Sequence, residues 1–216
     1  MTVTANSYQL ARVGPVHFQP LERELAQVAR YLHGKVLNAG CGNRDISGIV
    51  MPGDRGAVVN YDMRSTIPGA ILGSLNEMPF ADEEFDTIVC NAVLEHVSDV
   101  DSVMRELART LKPGGYLIAS VPYLQPYHKD PSDFRRYTRD GLTQLGTMHG
   151  LKTVDVLPLH TVWQTIGWIA WEWAVEKGGW RKLVVYPAVW LTTRLFNRTD
   201  MRLRNNANTF QAIYTK

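Results

Sequence analysis

The run Val36-Leu37-Asn38-Ala39-Gly40-Cys41-Gly42-Asn43-Arg44 joins a short apolar segment to a glycine turn, and the rest of the chain arranges itself around it. Lys35 to Ala39 reads as a buried strand. Gly40 and Gly42 remove side chains from the turn that follows, so a flat ligand could lie against its main chain at the carboxyl end of a parallel strand. That geometry suits a nucleotide-like cofactor. A dinucleotide site would want a third glycine where Asp45 stands, and a pyrophosphate would be repelled by that carboxylate. A phosphate-free ligand with a positive centre would not be.

Composition sets the outer bounds. The chain has 216 residues and 24.4 kDa, with 45% hydrophobic and 20% charged residues, enough for one well-cored domain and an appended subdomain. Cys41 and Cys90 fall at the ends of two expected strands, which predicts free, packed thiols in a reducing compartment. The start, Met-Thr-Val-Thr-Ala-Asn-Ser, lacks the basic and apolar regions of a secretory signal, and no stretch reaches the roughly 18 apolar residues that span a bilayer. A cytoplasmic protein is expected. The net charge is +2, but residues 181–204 hold six cations (Arg181, Lys182, Arg194, Arg198, Arg202, Arg204) against Asp200, leaving −3 for the remainder. Basicity this local predicts no general affinity for nucleic acid.

Along the chain, residues 1–19 carry no clear pattern, and Pro20 to His33 reads as a helix with Leu21, Leu25, Val28, Ala29 and Leu32 on one face. After the first strand, Asp45 to Met51 leaves room for at most two helical turns before the Pro52-Gly53-Asp54 break. Further strands are expected at Ala57 to Tyr61, Ala70 to Leu72, Phe85 to Cys90, Tyr116 to Val121, Leu151 to Leu157 and Thr209 to Tyr214. Helices are expected at Asp101 to Leu111, stopped by Lys112-Pro113-Gly114-Gly115, and from an N-cap at Thr138 to about Met148. Alternating strands and helices predict an α/β, Rossmann-like sheet, mostly parallel, with helices on both faces.

Asp62 ends the second strand, twenty residues after Gly42. A carboxylate there can accept hydrogen bonds from both hydroxyls of a ribose; the bland alternative is a turn aspartate in Tyr-Asp-Met-Arg. S-adenosylmethionine, a nucleoside carrying a sulfonium and an amino acid head, meets every requirement so far.

The stretch Gly73-Ser-Leu-Asn-Glu-Met-Pro-Phe-Ala-Asp-Glu-Glu-Phe-Asp86, continuing as Thr-Ile-Val-Cys-Asn-Ala-Val-Leu-Glu-His-Val97, and the later Leu111-Lys-Pro-Gly-Gly115 resemble the class I S-adenosylmethionine-dependent methyltransferases. The likeness is to the type 11 branch, in its bacterial small-molecule and saccharide members. It covers residues 35–160 and resumes at the last strand. It implies a seven-stranded sheet whose last strand enters antiparallel between the fifth and sixth. It also implies that Asn38, Gly40, Cys41 and Gly42 line the methionine part of the cofactor, Asp62 and Met63 the ribose side, Ser74 and Leu75 the adenine, and Asn91 and Ala92 the sulfonium. The family often has an aspartate where Ser74 stands. No metal ligand set is implied.

Tyr123 to Thr138 (Tyr-Leu-Gln-Pro-Tyr-His-Lys-Asp-Pro-Ser-Asp-Phe-Arg-Arg-Tyr-Thr) is the other dense constellation, following the fifth strand. Asp133 is expected to pair with Arg135 or Arg136, and Arg136, Tyr137 and Thr138 to be structural. His128 is the expected general base for a hydroxyl acceptor, with His96 in reserve and Tyr123 or Tyr127 touching substrate. For Glu95-His96 the resemblance implies a loop-ordering role instead.

The chain thus divides into a segment and helix over 1–34, a cofactor-binding core over 35–160, a helical insertion over 161–208 and a last core strand over 209–216. The insertion carries Trp163, Ile166, Ala170 and Trp173 in one stripe and Trp168 and Trp171 on other faces, so the domain, a second subunit or a lipid surface must cover it. The expected activity is methyl transfer from S-adenosylmethionine, leaving S-adenosylhomocysteine, to a hydroxyl or less readily an amine of a small molecule. The alternative is a protein of this fold that holds the cofactor but acts as a cyclase or a partner subunit.

Overall fold

The computed structural model describes residues 14–50, 58–129, 131–196 and 204–216. The Pro52-Gly53-Asp54 break, Arg198, Asp200 and Arg202 of the basic segment, and residues 1–13 lie outside the described residues. In chain order the elements are α1 (Leu21–Ala26), a 3-10 turn (Ala29–Tyr31), β1 (Val36–Ala39), β2 (Val58–Asp62), β3 (Ile71–Leu72), β4 (Phe85–Asn91), α2 (Val100–Thr110), β5 (Leu111–Pro122), α3 (Arg139–Met148), β6 (Lys152–Leu159), α4 (Val162–Lys177), α5 (Arg181–Phe196) and β7 (Thr209–Thr215).

The seven strands form one sheet in the order β3-β2-β1-β4-β5-β7-β6. Pairing is parallel from β3 to β5, while β7 runs antiparallel to both neighbours. Alternation along each strand serves two cores. Leu37, Ile88, Cys90, Leu117, Ala119 and Tyr214 face α2 and α3, packing with Met104, Leu107 and Leu142. Val36, Val89, Ile118 and Ile213 face the other way, onto Leu25, Val28, Leu32, Ile46 and Val50. Both faces being covered is what lets the central strands read as continuous apolar runs.

Two expected boundaries move. The helix expected over Pro20 to His33 breaks after Ala26 into the 3-10 turn. The Thr87 hydroxyl lies 2.8 Å from the Tyr31 carbonyl oxygen and 3.0 Å from that of His33, so the end of this segment is tied to β4 rather than continued as helix. Lys112 to Gly115 lies inside β5 as an irregularity, not before it: Phe85 pairs with Leu111, and the register resumes at Thr87 and Tyr116. Gly114 sits at φ +76°, and a Cβ on Gly115 would come within 2.8 Å of the Asp86 carbonyl oxygen, which explains the glycine pair. Described residues 45–50 form turns only, with Ile46 and Val50 filling the place of a helix face.

α4 and α5 form the expected insertion as a hairpin, with Gly167 of α4 against Val189 and Thr193 of α5. Pro187 lies within α5. Leu183, Trp190, Leu191 and Leu195 of α5 and Ile166, Ile169 and Trp173 of α4 are exposed.

Arg109 of α2 clamps the loop before β4. Its guanidinium donates to the Met78 and Phe80 carbonyls and to Glu106 and Asp82. Arg109 holds the Glu106 carboxyl below its ordinary range, against the opposing effect of burial. A depressed carboxylate adds stability above its unfolded pKa and loses it as pH falls through the folded one. Glu106→Gln should therefore cost about 1–3 kcal/mol at neutral pH, and the difference from wild type should close as the pH drops below the unfolded value of about 4.3, read by urea denaturation across pH.

Candidate active site

The strand order reverses between β1 and β4, and ligands in such sheets sit beyond the carboxyl ends of the strands at that seam. Gly40 leaves β1 at φ +70°, and both its N–H and that of Cys41 donate to the Tyr61 carbonyl, at 2.8 and 3.2 Å. A Cβ on Gly40 would fall 2.4 Å from Val93 Cγ2. Gly42, at φ +52°, donates its N–H to Asp62 Oδ2 at 2.9 Å, while Arg64 N–H reaches Oδ1 at 2.7 Å. Each carboxylate oxygen keeps a second lone pair, so Asp62 can still accept from a diol.

Asn38 is buried, and its amide donates to the Arg44 carbonyl and to Asn60 Oδ1, both at 2.8 Å. It holds the glycine loop from beneath. Cys41 is buried too, and burial pushes its thiol pKa up. Met63 is 69% exposed beside Asp62, and Leu75 is buried. Ser74 caps its own turn, accepting the Asn76 N–H at 3.2 Å, while Tyr61 donates to the Ser74 carbonyl at 2.9 Å. At the end of β4, Ala92 adopts φ +56° with its N–H on the Ser120 carbonyl, and the buried Asn91 Oδ1 has no hydrogen-bond partner among the described residues. An adenosyl ligand with a cationic sulfonium fits this set of groups: a free acid face at Asp62, a turn with two glycines and an unsatisfied amide oxygen.

Asn91 and Ala92 also line a cavity of about 310 Å³ beyond β4 and β5. Glu95, His96, His128 and Trp168 form its polar end and aromatic wall, and Phe18 and His160 extend that wall. Glu95 is wholly buried, neither carboxylate oxygen has a hydrogen-bond partner among the described residues, and burial pushes its pKa up to about 8. His96 Nδ1 contacts the Ser132 carbonyl, and its Nε2 stands 3.7 Å from Glu95 Oε1. His128 Nδ1 lies 2.9 Å from the Pro126 carbonyl oxygen, and burial pushes its pKa down, toward a neutral ring. The two imidazoles meet edge to face with centroids 5.4 Å apart.

The loop is built around Asp133. It accepts the His128 N–H at 2.8 Å and pairs with Arg136, whose guanidinium also donates to the Pro126 carbonyl at 3.0 Å. Thr138 caps α3 by accepting the Gly141 N–H, as its position suggested. Tyr123 instead stacks on Phe210, and Tyr127 is 55% exposed near Lys129; neither lines the cavity. Arg44, Phe18, Gln125, His160 and Trp168 line it without having been singled out for it. Arg44 and Gln125 fell within stretches quoted for other reasons, Trp168 stood out as a tryptophan off the main stripe of its helix, and Phe18 and His160 gave no signal.

Residues 37–119 match the family described as "Methyltransferase domain". Over that stretch the chain resembles this family, and its sheet has the fold of the class I methyltransferases. The ubiquinone/menaquinone biosynthesis C-methyltransferase UbiE of Vibrio parahaemolyticus is 31% identical over 116 residues, covering 44% of this chain and 45% of that relative. The chain thus spans under half the length of the curated relatives of that name. Among solved structures, a SAM-dependent methyltransferase from Archaeoglobus fulgidus superposes with TM-score 0.57 at 13% identity, covering 91% of this chain and 93% of the other. The [4+2]-cyclase SpnF superposes with TM-score 0.56 at 19% identity, covering 90% and 80%. These likenesses establish the shared fold.

The two loop glycines separate two effects. Gly40→Ala adds a clash with Val93 to the cost of a left-handed alanine, whereas Gly42→Ala meets nothing within 4 Å. Gly40→Ala should lose about 2–3 kcal/mol and Gly42→Ala about 1 kcal/mol in chemical denaturation.

Proposed function

We propose that this chain is a class I methyltransferase that binds S-adenosylmethionine across the tips of β1, β2 and β4 and methylates a hydroxyl group of a small molecule held in the adjoining cavity. The observation that supports this is the position of Asn91 and Ala92, which lie at the end of β4 beside the Gly40 turn and line the cavity. When bound, the cofactor supplies a methyl group already activated on sulfur, so the chain's work is positioning and water exclusion. Asp62 accepts the ribose hydroxyls, and the Gly40–Gly42 backbone supports the amino acid head. Phe18 and Trp168 shield the acceptor from water. A hydroxyl must lose its proton as its oxygen attacks, and we assign that activation to His128, with His96 beside it.

Isothermal titration should show Asp62→Ala weakening S-adenosylmethionine binding by about tenfold or more. With an alcohol and phenol panel, His128→Gln should cut turnover by about a hundredfold while cofactor affinity holds. Undiminished binding in the first variant rejects the cofactor site, and undiminished turnover in the second rejects the assignment of His128. Cofactor binding without methyl release to any acceptor would favour a non-methylating enzyme or partner subunit.

We also infer that the α4–α5 hairpin rests on an anionic membrane surface. α5 has no acidic residue and buries only Val189 and Thr193. Arg181 lies over the Trp173 and Trp180 rings at 5.7 and 5.5 Å, and Arg194 over Trp190 at 5.1 Å, so cations lie against tryptophans beside the exposed Leu183, Leu191 and Leu195, while the exposed acid Glu176 belongs to α4. That combination suits the headgroup layer, where a ring can be buried while a guanidinium meets phosphate. Among the described residues no helix is long and apolar enough to cross a membrane, so the contact would be peripheral. The protein should sediment with phosphatidylglycerol vesicles at low salt and not with phosphatidylcholine vesicles, and Trp190→Glu combined with Leu191→Glu should release it. A stable dimer that ignores both vesicle types would instead assign the face to a second copy.

A further inference from the structure

We propose that Glu95, His96 and His128 form a binding site for one divalent transition-metal ion of the zinc class. Each offers one ligand atom, and the three atoms lie within 4.8 Å of one another. Two details mark the cluster as more than a chance meeting of polar groups. The first is the Glu95 carboxylate, fully buried, lining the cavity and without a hydrogen-bond partner on either oxygen among the described residues. A buried carboxylate in this state is costly unless a cation or several donors complete it. The second is the way the rings are held. His96 Nδ1 faces the Ser132 carbonyl and His128 Nδ1 faces the Pro126 carbonyl. A carbonyl can only accept, and at His128 the Pro126 oxygen at 2.9 Å is nearer to Nδ1 than the Arg136 Nη2 donor at 3.4 Å, so we assign the proton to both Nδ1 atoms, which leaves both Nε2 atoms as lone-pair donors. Histidines that ligate metals are oriented by this kind of outer hydrogen bond.

Two imidazole nitrogens and one carboxylate oxygen select zinc and its neighbours over magnesium or calcium, which favour all-oxygen shells. Ligands at about 2.0–2.1 Å from zinc stand roughly 3.3 Å apart. The Glu95 Oε1 to His96 Nε2 distance of 3.7 Å is already close to that, and small side-chain rotations would gather the third. Arg44 and Lys129 also line the cavity, and Arg136 stands behind His128, paired with Asp133. A hydroxyl of the acceptor could donate to Glu95, but it would leave the two convergent imidazole nitrogens unexplained.

The ion's catalytic role rests on the methyl-transfer proposal; its binding does not. With three protein ligands, a tetrahedral ion keeps one open position, facing the cavity. An acceptor hydroxyl bound there would lose its proton to solvent water, the O–H electron pair staying on oxygen. With the ion bound, His128 would activate the acceptor as a ligand, in place of the general-base role assigned to it above for the metal-free site.

Elemental analysis of the full chain, purified without chelator, should find close to one equivalent of zinc or a neighbouring first-row ion. Chelator-treated protein titrated with cobalt(II) should develop visible ligand-field absorption saturating at one equivalent. Glu95→Gln, His96→Gln and His128→Gln should each weaken cobalt binding by about tenfold or more; if the buried Glu95 variant does not fold, the two histidine variants carry the test. No saturable cobalt or zinc binding, or binding that all folded variants retain, overturns the proposal. S-adenosylmethionine calorimetry on the same samples keeps the two ideas apart. Cofactor binding without metal binding sinks the metal site alone, and metal binding without cofactor binding supports it while removing the methyl-transfer role.

Discussion

The parallel pairing of β1 with β4, Val36 opposite Thr87 and Asn38 opposite Val89, is the constraint on which the rest depends. Strands are added outward from that seam in both directions, so the chain leaving β1 and the chain leaving β4 diverge and a gap opens between them. Everything with chemical potential converges on the gap. The glycine loop enters from β1, Asp62 comes from β2 next door, and Asn91, Ala92, Glu95 and His96 follow β4. Gly40 is the contact point of the two sides, because only a residue without Cβ can turn left-handed against Val93.

The loop after β5 is organised by one buried acid. Asp133 holds the His128 main chain and the Arg136 guanidinium, and Arg136 holds the same Pro126 carbonyl that orients the His128 ring. Removing any member loosens the imidazole two bonds away. This is how the loop of residues 123–138, with no strand or helix among its described residues, can present a ring at a defined angle to His96.

Much of this was legible along the chain, for local reasons. A glycine turn after an apolar run, an aspartate at a strand tip, a threonine before a helix and alternating residues at Thr209 to Tyr214 each state a backbone requirement within a few positions. The Phe85-Asp86, Glu95-His96 and Pro113-Gly114-Gly115 landmarks carried the family resemblance, and it was that resemblance which implied the topology, including the antiparallel last strand. What stayed hidden depends on distant partners. Nothing near Tyr31 announces that Thr87 will draw on its carbonyl, and nothing near Tyr127 tells which way a loop side chain turns. The cavity wall needs Phe18, His128 and Trp168 from three remote segments, so no single window of sequence contains it.

β7 has a consequence for how the molecule comes to exist. It is an interior strand, with β5 on one side from Tyr116 to Pro122 and β6 on the other from Lys152 to Leu159. β6 has no other neighbour in the sheet, so until residues 209–215 have left the ribosome it is an orphan, and the long right-hand edge of β5 stands open. Sheet closure is thus deferred past the emergence of the whole α4–α5 hairpin, whose bare tryptophans and leucines are extruded before the core can be sealed. A nascent chain of this design has reason to engage a chaperone before its last strand arrives.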